Sequence, residues 1–291
     1  MSRYTVITDS SADLTPELVE ELKVEVVPLS LAFSETEVYR NYPDNRELDP
    51  KDFYRRLRAG EVATTAALNI QDCRDALTPI LERGEDVLVL SFSSGLSTSY
   101  QSFRLAAQEL EEEYPGRKVY VVDSLCASLG QGLFVYHVAK RRDEGATLEE
   151  LRDYAQSLVP RLCHWFTVDD LHFLKRGGRV SAATAVLGSM LQIKPVLHVD
   201  GEGHLTNVAK ARGRQASIRA LVDKCAELAD DPKNQTMFIC HGDCLEDAQT
   251  LAEMVRERFG TTDIRIGYTG TVIGAHSGPG TLALFFLGQH R

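Results

Sequence analysis

The chain has 291 residues, of which 43% are hydrophobic and 25% charged, and it carries a formal net charge of −10 at pH 7. This composition is that of a folded globular protein rather than a disordered one, and the length exceeds that at which one hydrophobic core stops growing, so two domains are expected. The acidic balance argues against a general nucleic-acid-binding protein, because neutralising phosphates requires a basic surface.

Neither a secretion signal nor a membrane span is predicted. The first residues, "MSRYTVITDSS", have no basic stretch followed by a long apolar run, and no later segment approaches ~20 consecutive apolar residues. We therefore expect a cytoplasmic protein. Its six cysteines are scattered rather than arranged as a dense disulfide framework, so reduced thiols are expected at Cys73, Cys126, Cys163, Cys225, Cys240 and Cys244.

The first half of the chain alternates short apolar strands with helices. The predicted strands are "YTVIT", "VEVVPLSLAF", "DVLVLSF" and "KVYVVDS". The predicted helices cover residues 15–23, 50–59, 70–84, 98–113, 127–145 and 147–160. In "GATLEEL", a glycine ends one helix, and a threonine with a glutamate three residues later starts the next. This order predicts a parallel sheet covered by helices.

The second half has a different pattern. "WFTV" predicts a strand, and "IKPVLHVDGEGHLTNVA" predicts two strands around an Asp-Gly-Glu-Gly turn. Helices over 213–230 and 245–259 alternate with strands over 236–241 and 263–268. "TVIGAHSGPGTLALFFL" predicts a strand, a Gly/Pro turn and a last strand. A boundary near Pro160 would give domains of residues 1–160 and 161–291.

The segment "CHGDC" at residues 240–244 allows two interpretations. It is either the end of a strand, a glycine turn and the start of a helix, or a zinc site. The first is favoured because structural zinc sites usually draw four ligands from two separated pairs. No metal is expected.

Hydroxyl-rich segments follow the predicted strands, at the edge where ligands of open α/β sheets bind. Most can be explained as helix caps, since Ser, Thr and Asp are the preferred cap residues. "SFSSGLSTS" has more hydroxyls than one cap needs, around a glycine that permits close backbone approach. A helix N-terminus with spare hydroxyls and free N–H groups predicts an anion site.

The absence of known phosphate-binding motifs limits which anion this site could bind. The sequence contains neither G-x-x-x-x-G-K-[ST] nor G-x-G-x-x-G, so a nucleotide phosphate has no typical cradle. "GLSTS" is close to the nucleophile elbow of serine hydrolases, although Ser99 replaces the last glycine. A serine acyl hydrolase or esterase that uses the Ser93–Ser99 loop and His276 therefore remains an alternative.

Six segments resemble, in order and approximate spacing, the DegV family of bacterial fatty-acid-binding proteins. They are "ITDSSADL", "SSGLSTSYQS", "DDLHFLKRGGRVS", "LQIKPVLHVDGEG", "KARGRQAS" and "GAHSGPG". The resemblance implies a two-domain α/β fold, with a Rossmann-like parallel-sheet N-terminal domain and a smaller α/β C-terminal domain with a mixed sheet. An acyl chain would lie in a tunnel between the domains.

The resemblance also implies a function. The protein would be a non-catalytic, lipid-binding subunit without a cofactor, which holds a long-chain fatty acid such as palmitate, stearate or oleate. A separate fatty-acid kinase would phosphorylate the carboxylate of the bound acid. Long-chain acid and kinase are thus the expected partners, together with transient contact with a membrane surface and no nucleic acid.

Carried over to matching positions, the resemblance implies which residues act. The carboxylate would be bound by Thr64, Thr65, Ser94, Ser97 and His276. Arg179 is expected to support these contact residues without binding the carboxylate itself. The basic segments "KRGGR" and "KARGR" could be solvated loops, but the resemblance implies that Arg212 and Arg214 contact the kinase.

Overall fold

Two β-sheets, one parallel and one mixed, organise the protein in the computed structural model, which describes residues 3–180 and 193–291. The first half contains, in chain order, β1 (Tyr4–Asp9), α1 (Pro16–Leu22), β2 (Glu25–Val27), β3 (Ser30–Ser34), β4 (Glu37–Arg40), α2 (Pro50–Arg58), β5 (Thr64–Ala66), α3 (Ile70–Glu82), β6 (Asp86–Ser91), α4 (Ser99–Glu113), β7 (Val119–Asp123), α5 (Ser128–Asp143) and α6 (Leu148–Leu158).

The second half continues with the remaining described elements, which begin four residues after α6 ends. They are β8 (Leu162–Thr167), α7 (Leu171–Arg176), β9 (Ile193–Val199), β10 (Leu205–Arg212), α8 (Arg214–Leu228), β11 (Met237–His241), α9 (Leu245–Phe259), β12 (Ile264–Tyr268), α10 (Thr271–Ser277) and β13 (Leu282–Leu287). Among the described residues of both halves, no helix is long and apolar enough to cross a lipid bilayer.

The first sheet has the order β2-β1-β6-β7, and all of its strands are parallel, as predicted. Successive residues of a strand face opposite sides. Ile7 and Val89 pack in one core with α3 and α4, whereas Val6 and Leu88 pack in another with α1, α5 and α6. Burial on both faces explains why these strands are continuous apolar runs.

The second sheet has the order β10-β9-β8-β13-β11-β12, and it is mixed, as the family resemblance implied. Only β11 and β12 pair in parallel among its described strands. Trp165 on β8 faces a core formed with α8 and α9. Its neighbour Phe166 faces the opposite core, which includes α5 and the parallel sheet. The mixed sheet therefore turns one apolar face toward the first half of the chain.

Helix α5 lies between the two sheets, and its first three turns are almost completely buried. Two glycines allow this close packing. A Cβ on Gly130 would lie 2.8 Å from the ring of Phe285 on β13. A Cβ on Gly132 would lie 2.7 Å from the carbonyl oxygen of Ala12, on the side of the parallel sheet. The helix thus sets the spacing between the sheets.

Two predicted strands are wrong. "VEVVPLSLAF" is divided at Pro28, which cannot donate a ladder hydrogen bond. Its first part is β2, and its second part is β3 of a small antiparallel sheet with the order β4-β3-β5. The segment from Thr271 to Ser277 is helix α10 rather than a strand. Its β-branched residues mimic a strand, but the helix buries Val272 and Ala275 against two cores, and packing overrides propensity.

The predicted division into residues 1–160 and 161–291 stays a prediction. The last helix of the first half, α6, begins with the expected capping box, in which Thr147 and Glu150 bond to each other's backbone N–H groups. It ends at Leu158, and β8 of the mixed sheet begins at Leu162.

The close packing of α5 gives a stability prediction. Gly132→Ala should lower the free energy of unfolding by about 1–3 kcal/mol, because the added methyl group meets backbone that no rotamer change can move. An ordinary glycine-to-alanine change within a helix would instead raise it, by about 1 kcal/mol. Thermal and urea unfolding measure the difference. Gly201→Ala is the control, because its Cβ meets open space. An increase in stability for Gly132→Ala would contradict this account of the packing.

Candidate functional site

A cavity lies between the inner face of the mixed sheet and the small sheet and loops of the first half, with a volume of about 730 Å³ including its open mouth. Both halves of the chain contribute to its mainly apolar wall. Representative apolar lining residues are Leu29, Phe92, Leu96, Phe166, Leu205 and Ile273.

A hydrogen bond between the two halves marks the polar part of the cavity wall. Thr65 is the middle residue of β5 in the small sheet, and His276 lies in the last turn of α10. The Thr65 Oγ1 and His276 Nε2 atoms are 2.7 Å apart, and both residues line the cavity. The helical conformation of α10 therefore brings together two residues that are separated by 211 positions in the sequence.

The His276 imidazole is neutral near pH 7. Burial, reinforced by the positive charges of Arg179 and Arg176, lowers its pKa to about 4. Its Nδ1 atom is buried and has no hydrogen-bond partner in the described chain. An orphaned N–H is rarer in proteins than an orphaned acceptor, so we place the proton on Nε2. Nε2–H then donates to Thr65 Oγ1, which leaves the threonine proton free for a ligand.

Only one of the serines in the hydroxyl-rich loop lines the cavity, and that is Ser97. Its Oγ accepts from the Ser99 N–H at 3.2 Å and lies 3.1 Å from Ser99 Oγ. Ser99 itself is buried and accepts from the Leu68 N–H. Ser93 is also buried, and its hydroxyl donates to the carbonyl of Gly203 in the β9–β10 turn. Three of the six hydroxyl side chains of this loop, those of Ser93, Ser97 and Ser99, therefore form hydrogen bonds within the protein.

Arg179 lines the cavity, next to the residues that it is expected to support, so its supporting role stays a prediction. Its Nε donates to the Leu96 carbonyl at 3.4 Å, and another guanidinium N–H donates to the Gly177 carbonyl. Burial lowers the pKa of the half-buried guanidinium. Within residues 3–180 and 193–291, no carboxylate forms an ion pair with it. The cavity thus contains a cation that no protein carboxylate neutralises there.

Two of the predicted contact residues lie outside the cavity. Thr64 and Ser94 are exposed, and neither belongs to the cavity wall. The Thr64 hydroxyl points toward the Ala32 carbonyl at 3.4 Å, on the other side of β5 from Thr65. Sequence reasoning also missed Ser277, which lines the cavity with a buried hydroxyl that has no partner among the described residues. Its position next to His276 in "GAHSGPG" was the available signal.

The two arginines predicted to contact a partner differ in environment. Arg212 is exposed at the end of β10. Arg214, at the start of α8, is largely buried, and its guanidinium pairs with Asp247 at 2.8 Å and with Asp169 at 3.6 Å. Arg214 is therefore occupied within the protein, which leaves Arg212 as the accessible member of the pair.

The "CHGDC" segment is the predicted strand end, turn and helix start. Cys240 lies on β11, and Cys244 precedes the first residue of α9. The Ser128 and Thr269 hydroxyls lie within 3.2 Å of the buried Cys240 Sγ. All six cysteines are free thiols. In the part of the chain that the structure describes, no group of three or more His, Cys, Asp or Glu residues could hold a metal ion.

The geometry does not form the catalytic triad that a serine hydrolase needs. Such a site places a histidine against the nucleophilic serine and a carboxylate against the other ring nitrogen. His276 instead bonds Thr65 through Nε2, and its Nδ1 lacks a partner among the described residues. No observation therefore favours the hydrolase alternative.

Comparisons with known proteins confirm the resemblance read from the six segments. A family model described as "Uncharacterised protein, DegV family" matches residues 3–289. A DegV domain-containing protein of Clostridium perfringens is 43% identical over 291 residues, which cover 100% of this chain and 99% of the relative.

Solved structures show the same fold. One, titled as fatty acid binding of a DegV family protein from Thermus thermophilus, is 31% identical with a TM-score of 0.85, and the match covers 97% of this chain and 98% of that one. The Streptococcus pneumoniae Fatty Acid Kinase (Fak) B3 protein loaded with linoleic acid has a TM-score of 0.85, with coverage of 98% and 99%. At 22% identity, this second likeness shows the fold alone.

The packing around His276 gives a prediction that does not depend on a ligand. A Cβ on Gly177 would overlap the His276 Nδ1 atom, so Gly177→Ala should push the imidazole out of its buried position. Its pKa should then rise from about 4 toward the ordinary value of about 6.5. Histidine NMR titration measures this shift, with Gly201→Ala as the control. An unchanged low pKa in Gly177→Ala would contradict the burial described here.

Proposed function

The chain belongs to the DegV family, and we propose that it binds a long-chain fatty acid in the cavity beside the inner face of its mixed sheet. The observation that carries the proposal is the composition of the cavity wall. It is apolar over most of its area, and its polar residues include Thr65, Ser97, Arg179 and His276. The fatty acid binding named for the 31% identical relative supports it.

The apolar wall would supply most of the affinity. Burying the tail of a sixteen-carbon acid yields about 12 kcal/mol at ~0.8 kcal/mol per methylene group. Immobilising a flexible chain and losing its free translation subtract several kcal/mol from this gain. The same energetics would apply to palmitate, stearate and oleate, so the preferred chain depends on the shape of the wall.

The polar residues would replace the water around the carboxylate. A buried carboxylate is costly unless donors and a positive charge compensate it. In the proposal, the hydroxyls of Thr65 and Ser97 donate to the carboxylate, and the His276 Nε2–H orients the Thr65 hydroxyl. The Arg179 guanidinium supplies the positive charge. Hydrogen bonds to a charged group contribute about 1.5–3 kcal/mol each.

The protein itself would make or break no bond. We propose that it acts as the carrier, in the cytoplasm, for a separate fatty-acid kinase that phosphorylates the bound carboxylate. Transient contact with a membrane surface would allow it to collect the acid. Of the two arginines first assigned to the kinase contact, we retain Arg212, because it is exposed while Arg214 is held in ion pairs.

Removing one head-group donor tests the binding mode. Thr65→Val keeps the side-chain shape but removes the hydroxyl, and it should weaken stearate binding roughly ten- to hundredfold. Isothermal titration or displacement of a fluorescent fatty acid measures the affinity. Binding of the matching long-chain alcohol, which has no charge to compensate, should change far less.

Thr64→Val is the matched control, because this neighbouring hydroxyl is exposed and lies outside the cavity. It should leave the affinity for stearate unchanged. If Thr64→Val weakened binding as much as Thr65→Val, the carboxylate would not lie where we place it. If the unaltered protein bound no fatty acid, the proposed function would be wrong.

Reversing the charge of Arg212 tests the partner contact separately. Arg212→Glu should reduce the rate of phosphate transfer from ATP to the protein-bound acid by at least about tenfold. The reason is that it replaces the cation of the proposed interface with an anion, which turns an attraction into a repulsion. Stearate affinity should be unchanged. Arg219→Glu, at an exposed position on α8, is the matched control. Equal rates for the two variants would remove Arg212 from the interface.

A further inference from the structure

A second histidine, His164, lies in the cavity wall and has no role in the binding mode proposed above. It belongs to β8, and only 6% of its surface is exposed. Neither ring nitrogen forms a hydrogen bond within the described part of the chain, and Nδ1 is fully buried. A Cβ on Gly130 of α5 would lie 3.2 Å from that Nδ1 atom. A polar side chain is therefore buried in the wall without a partner among the residues that the structure describes.

The ring is fixed in position and uncharged. It packs edge to face on Phe285, with ring centroids 4.6 Å apart, and lies 5.6 Å from the Phe166 ring. Burial, with the nearby positive charge of Arg291, lowers the pKa of His164 to about 3. A neutral imidazole has one N–H donor and one acceptor. Because Nδ1 is the enclosed atom, we place the proton on Nε2, as for His276.

His164 lies away from the head-group residues. Thr281 lines the cavity, and its hydroxyl donates to the carbonyl of Gly278. Gly278 follows His276 closely in the chain, so Thr281 marks the end of the cavity near the head-group residues. On β13, the residue paired with His164 is Phe285, four positions beyond Thr281. At about 3.3 Å per residue, this places His164 more than 10 Å further along the strand. A fatty acid held at Thr65 would thus pass His164 with the middle of its chain.

A plain hydrocarbon chain would leave this donor unpaired, at a cost that proteins rarely accept. Building on the proposed function, we propose that the cavity favours acyl chains with a hydrogen-bonding oxygen, a hydroxyl or a keto group, in mid-chain, and that His164 recognises this oxygen. The ligand class is then an oxygenated long-chain fatty acid. The bound oxygen would accept from Nε2–H, and the aromatic neighbours would exclude competing water.

Relative affinity tests this inference. Stearate and a stearate with a hydroxyl in mid-chain are titrated against the same protein, and the ratio of their dissociation constants is the readout. His164→Phe removes the donor but keeps an aromatic ring, and it should shift the ratio about three- to tenfold toward stearate. His164→Gln, which retains a side-chain N–H, should restore part of the preference. Thermal unfolding of each variant confirms that it is folded.

Phe166→Leu is the matched control, because it changes the apolar wall beside His164 without removing a hydrogen-bonding group. It should change both affinities together and leave their ratio within about twofold. An equal ratio in the unaltered protein and in His164→Phe would overturn the inference, with a bound water as the partner of His164. Failure of the unaltered protein to bind either acid would instead contradict the proposed function.

Discussion

A carboxylate can be buried at the end of an apolar cavity only if hydrogen-bond donors and a positive charge compensate it. The hydrogen bond between Thr65 and His276 is central, because it joins the small sheet of the first half to a helix of the second half. A protonated His276 imidazole would place an unpaired positive charge at a buried position, which is costly. The low pKa of His276 keeps the imidazole neutral. The fixed charge is left to Arg179, which no carboxylate of the described residues neutralises. In the proposed binding mode, the neutral imidazole orients the Thr65 hydroxyl and the Arg179 guanidinium compensates the charge of the carboxylate.

The cavity itself follows from the arrangement of the layers. The mixed sheet covers one face with α8 and α9 and turns the other toward α5, so its alternate residues divide between a protein core and the cavity wall. Glycines at positions 130 and 132 let α5 approach both sides closely. The wall of the remaining space is mainly apolar, with a few polar side chains among the apolar ones.

Local patterns predicted the scaffold better than the site. Strand periodicity and the Thr147 capping box depend on near neighbours, and the sequence predicts them well. Helix α10 was predicted as a strand because its β-branched residues are stabilised as a helix only by distant packing partners. Adjacent hydroxyls at Thr64 and Thr65 look equivalent in the sequence, but strand alternation turns one away from the cavity. The direct position of Arg179 depends on a tertiary cleft that no local pattern encodes.

A crystal structure of the protein with stearate would show where the carboxylate and the acyl chain bind. We expect clear density for the acyl chain within the cavity, with the carboxylate oxygens within hydrogen-bonding distance of the Thr65 hydroxyl and the Arg179 guanidinium. A carboxylate that points into solvent, or an acyl chain bound outside this cavity, would contradict the proposed binding mode.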